Sequence, residues 1–259
     1  MTMGHVSLVG AGPGDPDLWT VAAVRRVQEA DLVLYDALVD ARALPALTTA
    51  PCFSVGKRAG RRSVRQETIH RVMIRAARRG KRVVRLKGGD PFLFGRGGEE
   101  AVALRLAGIP FDIVPGVSSA IAAPEVAGIP VTHRGIASAV LTASGHDVDA
   151  FAWAIDTAPP NGLTLVVLMG IGTRSAVATR LIDRGWRADT PAAIVCAATT
   201  DSEWTWTGTV AQLAAAPVPA GLAGVIVVGD VVRLREAIAE PLDRQVRCFP
   251  ASAGRGGRV

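Results

Sequence analysis

Val6-Ser7-Leu8-Val9-Gly10-Ala11-Gly12-Pro13-Gly14-Asp15-Pro16 joins a short apolar run to a glycine-rich turn. An apolar run of this length bounded by turn residues reads as a buried strand, and the turn behind it leads into a helix. Strand, glycine turn and helix invite a dinucleotide-binding unit, but the pattern departs from one twice. The third glycine of G-x-G-x-x-G would stand at position 15, where Asp15 sets a carboxylate against the place of a pyrophosphate. Pro13 also removes one N–H donor from the turn. The loop suits a ligand without phosphates, or it is a plain tight turn.

Outward from this stretch, the first half keeps alternating apolar runs with amphipathic segments. Strands are expected at Val6–Val9, Leu32–Tyr35, Cys52–Val55, Arg82–Leu86 and Phe111–Val114, and helices at Leu18–Gln28, Gln66–Arg79 and Glu99–Ala107, with a shorter one near Ala41–Leu47. That alternation predicts an α/β fold with a mainly parallel sheet covered on both faces. The loops after the strands, Gly10–Pro16, Asp36, Gly56–Arg62, Gly88–Gly98 and Pro115–Ser119, share one edge, where open α/β sheets bind ligands. A small-residue helix, Ser118–Ala127, opens the second half. Its strands are expected at Ala139–Ser144, Thr164–Leu168, Ala192–Cys196, Trp204–Thr209 and Gly224–Val228, with helical patterns at Thr173–Arg184 and Val210–Ala215. Trp204-Thr205-Trp206-Thr207-Gly208 alternates with period two, which suits an antiparallel strand and makes the second sheet mixed. The expected organisation is an N-terminal α/β domain over 1–117, a C-terminal α/β domain over 118–245 and a flexible tail over 246–259.

Composition narrows the class. Of 259 residues, 49% are hydrophobic and 20% charged, which excludes a disordered chain. Three scattered cysteines in no CxxC spacing exclude a disulfide framework and a cysteine-based zinc site, and fit a reducing cytoplasm. Neither a signal-peptide pattern nor an apolar run of membrane-spanning length is present, so no membrane partner is expected. The net charge of +6 comes from the first half, and 13 of the 31 residues from Lys57 to Lys87 are basic. Such a field attracts anions. On the helix, Arg71, Arg75, Arg78 and Arg79 fit a solvated face equally well. In the Gly-containing loop, Arg58, Arg61, Arg62 and Arg65 offer forked guanidinium groups suited to carboxylates.

Two carboxylates stand out. Asp90, in Gly88-Gly89-Asp90-Pro91, can accept hydrogen bonds from hydroxyls or sit near a cation, or it caps the next helix. Asp36, directly after Tyr35 at a strand end, is either a general base or the acceptor of a local Asx turn. His5 and His70 look incidental, whereas His133 and His146 lie in loops without metal-ligand spacing. Ser118 and Ser119 lack the G-x-S-x-G elbow of a hydrolase.

Taken in order, these motifs are specific. Val9–Asp15, Tyr35-Asp36, Gly56-Lys57-Arg58, Lys87-Gly88-Gly89-Asp90-Pro91-Phe92, Phe94–Glu100, Val114-Pro115-Gly116 and Gly128–Arg134 closely resemble the stand-alone uroporphyrinogen-III C-methyltransferases of the tetrapyrrole methylase family. The resemblance covers about residues 4–243. It implies the two-domain tetrapyrrole methylase fold, with a parallel-sheet N-terminal domain, a mixed-sheet C-terminal domain and the active site in the cleft between them. It also implies transfer of methyl groups from S-adenosylmethionine to C2 and C7 of uroporphyrinogen III, giving precorrin-1 and then precorrin-2, with S-adenosylhomocysteine as product and no metal.

Matched residue by residue, the resemblance puts Pro13, Gly88, Gly89, Asp90, Leu93, Ser118, Ser119 and Met169 at the cofactor, with Ala198 where the family has a glycine. Asp36 and Lys57 match its proposed proton acceptor and donor. Arg58, Arg62, Thr132, His133 and Arg134 are the expected substrate contacts, since the substrate carries eight carboxylates. A cytoplasmic homodimer without nucleic acid is implied as well. Two other readings remain at this stage: a sister enzyme acting on a later corrinoid or on ribosomal RNA, and a nucleotide-binding regulator. Tyr35 is the only tyrosine, and no aromatic stacking platform favours RNA.

Overall fold

The computed structural model describes residues 2–56, 64–156, 158–160 and 162–238. Two five-stranded sheets carry the fold. The first contains β1 (His5–Gly10), β2 (Leu32–Tyr35), β3 (Cys52–Ser54), β4 (Arg82–Lys87) and β5 (Phe111–Val114), in the order β3-β2-β4-β1-β5. Every pairing in it is parallel. Alternation along the strands splits the buried side chains between two faces. Val9, Val33, Val84 and Leu86 meet α1 (Val21–Gln28) and α2 (Leu44–Leu47), through Ala23, Val27 and Leu44. Val6, Leu8, Leu34 and Val83 meet α3 (Gln66–Arg78) and α4 (Gly97–Leu106), through Ile69, Met73 and Leu104.

The second sheet contains β6 (Ala139–Ser144), β7 (Leu163–Leu168), β8 (Pro191–Cys196), β9 (Trp204–Thr209) and β10 (Gly224–Val228), in the order β6-β7-β10-β8-β9. β6 and β7 are parallel, and the other pairings are antiparallel, including the Trp204–Thr209 strand on β8. The sheet is mixed, as the period-two pattern requires. One face packs on α5 (Ser119–Val126) through Ala120 and Ala123, and the other on α6 (Val148–Ile155) and α7 (Arg174–Asp183).

Several expected boundaries need correction. Leu18–Gln28 is not one helix. Pro16–Leu18 forms a short 3₁₀ turn capped by Asp15, and α1 starts after Thr20, whose hydroxyl accepts from the Ala23 N–H. Two separate N-caps force two separate starts. Val210–Ala215 is a 3₁₀ helix, entered through a capping box of Thr209 and Gln212. Sequence reading missed α6, whose start is marked by Asp147 accepting from the Asp149 and Ala150 N–H groups. It also missed α8 (Arg235–Ile238). The expected tail at 246–259 lies outside the described residues, as do Lys57, Arg58, Arg61 and Arg62.

His5 has a structural task. With Ser7 and Arg26 it holds Asp112 on β5, at 2.8, 2.6 and 3.0 Å, and these bonds keep the Asp112 carboxyl below its ordinary range against the cost of its burial.

At the carboxyl edge of the first sheet the strand-end loops touch backbone to backbone. A Cβ on Gly10 would lie 2.6 Å from the Gly116 Cα and 2.6 Å from the Gly89 carbonyl oxygen, and one on Gly116 would collide with the same carbonyl. Gly10→Ala and Gly116→Ala are therefore expected to destabilise the protein by roughly 1–3 kcal/mol each through overpacking. Urea unfolding that leaves both midpoints at the parental value would show that the contact is not required.

Candidate active site

Four of the five strand-end loops of the first sheet converge on one cavity of about 570 Å³, and the second sheet closes its other side. Gly12–Gly14 follow β1, Asp36–Leu38 follow β2, Gly88–Gly95 follow β4, and Ser118 and Ser119 follow β5. From the second sheet come Leu168 and Met169 after β7, Ala197, Ala198 and Thr200 after β8, and Gly221–Val225 leading into β10. All nine residues expected at the cofactor, Pro13, Gly88, Gly89, Asp90, Leu93, Ser118, Ser119, Met169 and Ala198, line this space.

The glycine loop shows why it makes a poor phosphate cradle. The Gly12 N–H donates to the Gly89 carbonyl at 3.3 Å, and the Gly89 N–H donates back to Gly12 at 2.7 Å. Both glycines have positive φ, +67° and +65°, which this close pairing of two turns requires. The amides that would face a pyrophosphate are spent on joining the β1 and β4 loops. Asp15 looks away from the cavity wall to cap the 3₁₀ turn, and its backbone N–H donates to Thr199 Oγ1 at 2.9 Å. That bond ties the first sheet's loop to the loop after β8.

Asp90 lines the cavity and also bonds the protein's own backbone. Its Oδ1 accepts from the Phe92 N–H at 2.8 Å and its Oδ2 from the Gly116 N–H at 3.1 Å, so it pins the β4 loop to the β5 loop. A charge-assisted bond of this kind contributes about 1.5–3 kcal/mol. Ser118 caps α5 by accepting from the Ala120 N–H. Met169, Ala197 and Phe94 line the cavity with φ of +57°, +47° and +51°, strained values for residues with a Cβ, and strain of this kind gathers at functional sites.

Behind the wall lies a group of charges that sequence reading did not single out. β4 directs Arg85 and Lys87, two residues apart, to the face covered by α3 and α4, and both side chains are buried. Arg85 Nη2 pairs with Asp36 Oδ1, and its Nε donates to Glu100 Oε1 at 3.0 Å. Lys87 Nζ lies 3.2 Å from Glu100 Oε2 and 3.7 Å from Asp36 Oδ2. Glu100 is 0% exposed and also accepts from Gln66 at 2.9 Å. Burial, followed by the neighbouring Arg85 charge, pushes the Lys87 amine below its ordinary range, while Asp36 and Glu100 oppose the shift. The available sequence signal was two cations, Arg85 and Lys87, on either side of Leu86 in the same strand as the buried Val83 and Val84.

Other expected residues lie elsewhere. Thr132, His133 and Arg134 are exposed on a turn closed by His133 and Ala137, and they do not line the cavity. Lys57, Arg58 and Arg62 fall outside the described residues. Leu38, Phe94 and the Gly221–Val225 segment line the cavity without having been foreseen. Among the described residues, no group of three or more His, Cys, Asp or Glu side chains is placed to hold a metal ion.

Comparison with known proteins agrees with this architecture. The family profile of tetrapyrrole (corrin/porphyrin) methylases matches residues 5–214. A uroporphyrinogen-III C-methyltransferase of Methanocaldococcus jannaschii is 44% identical over 239 residues, 90% of this chain and 99% of that protein. A siroheme synthase of Actinobacillus pleuropneumoniae is 43% identical over 241 residues, and the match spans 49% of its length. The crystal structure of a Thermus thermophilus uroporphyrin-III C-methyl transferase complexed with S-adenyl homocysteine superimposes with a TM-score of 0.77 at 41% identity, covering 89% of this chain and all of that one. With its parallel and mixed sheets closing on one glycine-walled cavity, the chain belongs to the tetrapyrrole methylases, a family of methyl-transferring enzymes.

Proposed function

We propose that the protein C-methylates uroporphyrinogen III at C2 and C7, forming precorrin-1 and then precorrin-2, with S-adenosylmethionine as donor. The observation that carries the donor assignment is the charge of the cavity wall. Its only charged side chains among the described residues are the carboxylates Asp36 and Asp90, set among glycines and apolar groups. Such a wall favours a cationic, largely apolar ligand over a polyphosphate. The residues present fit the donor: bare backbone at Gly88, Gly89 and Gly221–Gly224 allows close approach, and Leu93, Leu168 and Met169 offer apolar surface. When bound, S-adenosylmethionine supplies an electrophilic methyl group on a cationic sulfur.

The protein's own residues supply position and charge. A pyrrole carbon is already nucleophilic, so alignment across the cavity accounts for much of the expected acceleration. Asp36 stands on the cavity wall as a carboxylate anchored from behind by Arg85, able to stabilise the positive charge that a methylated ring acquires or to take a proton from it. Leu38 and Phe94, exposed at the same edge, offer apolar contact to a macrocycle. We assign the substrate's carboxylates to Arg58 and Arg62 and to Thr132, His133 and Arg134, and the role of proton donor to Lys57, on resemblance. The same resemblance supports a cytoplasmic homodimer. Among the described residues no helix is long and apolar enough to cross a membrane.

Incubation with S-adenosylmethionine and uroporphyrinogen III is expected to give a product two methyl groups heavier by mass spectrometry; an unmodified substrate overturns the reading. Asp36→Asn should lower turnover by about 10²–10⁴-fold with S-adenosylhomocysteine affinity retained in calorimetry. Weakened cofactor binding with normal turnover at saturation would make Asp36 a cofactor ligand instead. Light scattering at micromolar concentration should find a dimer, and a monomer would remove that assignment.

A further inference from the structure

Three buried charged groups, Arg85, Lys87 and Glu100, meet behind Asp36 of the cavity wall, in a space that apolar side chains would fill at less cost. Buried ion pairs lose hydration that their mutual attraction often fails to restore, and replacing them with well-packed hydrophobic residues is often neutral or stabilising. The arrangement is directional. Glu100 projects from α4, takes Arg85 on one oxygen and approaches Lys87 with the other, and both cations then point at Asp36. Gln66 of α3 donates to Glu100 and is itself bonded to His70 at 3.2 Å, which fixes the carboxylate from the far side. Gly95 leaves room beside the Lys87 stem, since a Cβ there would sit 3.3 Å from its Cε.

We propose that Glu100 and Lys87 are positioning residues for the methyl-transfer reaction: Glu100 holds the Lys87 ammonium and the Arg85 guanidinium against the back of Asp36, so that this carboxylate meets the substrate in one orientation. The proposal rests on the functional reading above and adds two residues that never touch the cavity. Among the described residues, the charged and titratable groups facing Lys87 are Arg85 on its own strand, Asp36 after β2 and Glu100 on α4, with His70 on α3 behind Gln66. Of these, Glu100 and Asp36 favour the protonated amine, whereas Arg85 and burial oppose it. Removing the Glu100 charge therefore makes Lys87 release its proton at lower pH.

The test follows single-turnover methyl transfer against pH in the parent, Glu100→Gln and Glu100→Gln/Lys87→Met, with NMR titration of the Lys87 Cε as a readout that needs no substrate. The double variant removes one charge of each sign and so keeps the site balanced if the single variant folds poorly. In Glu100→Gln the alkaline limb of the rate profile and the Lys87 titration should both move to lower pH. The double variant should fold, bind S-adenosylhomocysteine like the parent and transfer methyl about 10²-fold more slowly, the scale of a misplaced reacting group. A double variant with the parental rate overturns the proposal, because the quartet is then structural only. So does a Lys87 titration that moves while the rate profile stays still. A parent that binds S-adenosylhomocysteine yet transfers no methyl group overturns the functional reading first and the proposal with it, a result distinct from an active parent with active variants.

Discussion

Contact between bare backbones at Gly10, Gly89 and Gly116 sets the geometry of the cavity. β1 has β4 and β5 as its neighbours, and the loops leaving all three strands must pass through one small volume. Side chains at those positions would hold the loops apart and open the floor. With the loops in contact, the β1 and β4 turns can bond through Gly12 and Gly89, and Asp90 can reach the Gly116 amide. The second sheet is brought onto this floor by a further close approach: a Cβ on Gly14 would lie 3.0 Å from the Ala198 carbonyl, beside the Asp15–Thr199 bond. Ligand space is thus what remains between two rigid sheets whose loops already hold one another.

This construction decides the chemistry of the wall. Amides that bond one another are not available to phosphate oxygens, and Arg85 and Lys87 of β4 are turned to the far face, behind Asp36. Among the described residues, the cavity is left with exposed backbone, apolar side chains, the hydroxyls of Ser118, Ser119 and Thr200, and two carboxylates. One of those also holds two loops together, and the other is anchored from behind. Among the described residues, the basic character of the sequence, which drew attention to arginines, does not extend to the wall itself.

The relation between the two halves also explains the strained residues. Met169 and Ala197 end β7 and β8, which lie on either side of β10 in the second sheet. A positive φ at a strand end turns the chain sharply across the sheet edge, toward the cavity that both residues line. That cost is borne by the buried strands around it: β8 is buried along its whole length, as is β7 up to its last residue.

Much of this was legible in the sequence because it depends on short-range pattern. Strand bounds came within one residue of those in the structure where apolar runs were bounded by turn residues, prolines at Phe111–Val114 and aspartates at Leu32–Tyr35. Helix starts were read less well, because Thr20 and Asp147 act through local capping bonds that periodicity does not register. The glycine and aspartate motifs located the cavity, since each sits at a strand end and parallel strands share one edge. Only the tertiary structure decided what those motifs touch. Asp90 serves the protein's own backbone, and Asp36 stands before two buried cations of β4, Arg85 and Lys87, 49 and 51 residues further along the chain, which Glu100 of α4 pairs with in turn. Charge pairing across such separations depends on which strands lie side by side, and strand order is a property of the packed sheet that no local run of residues encodes.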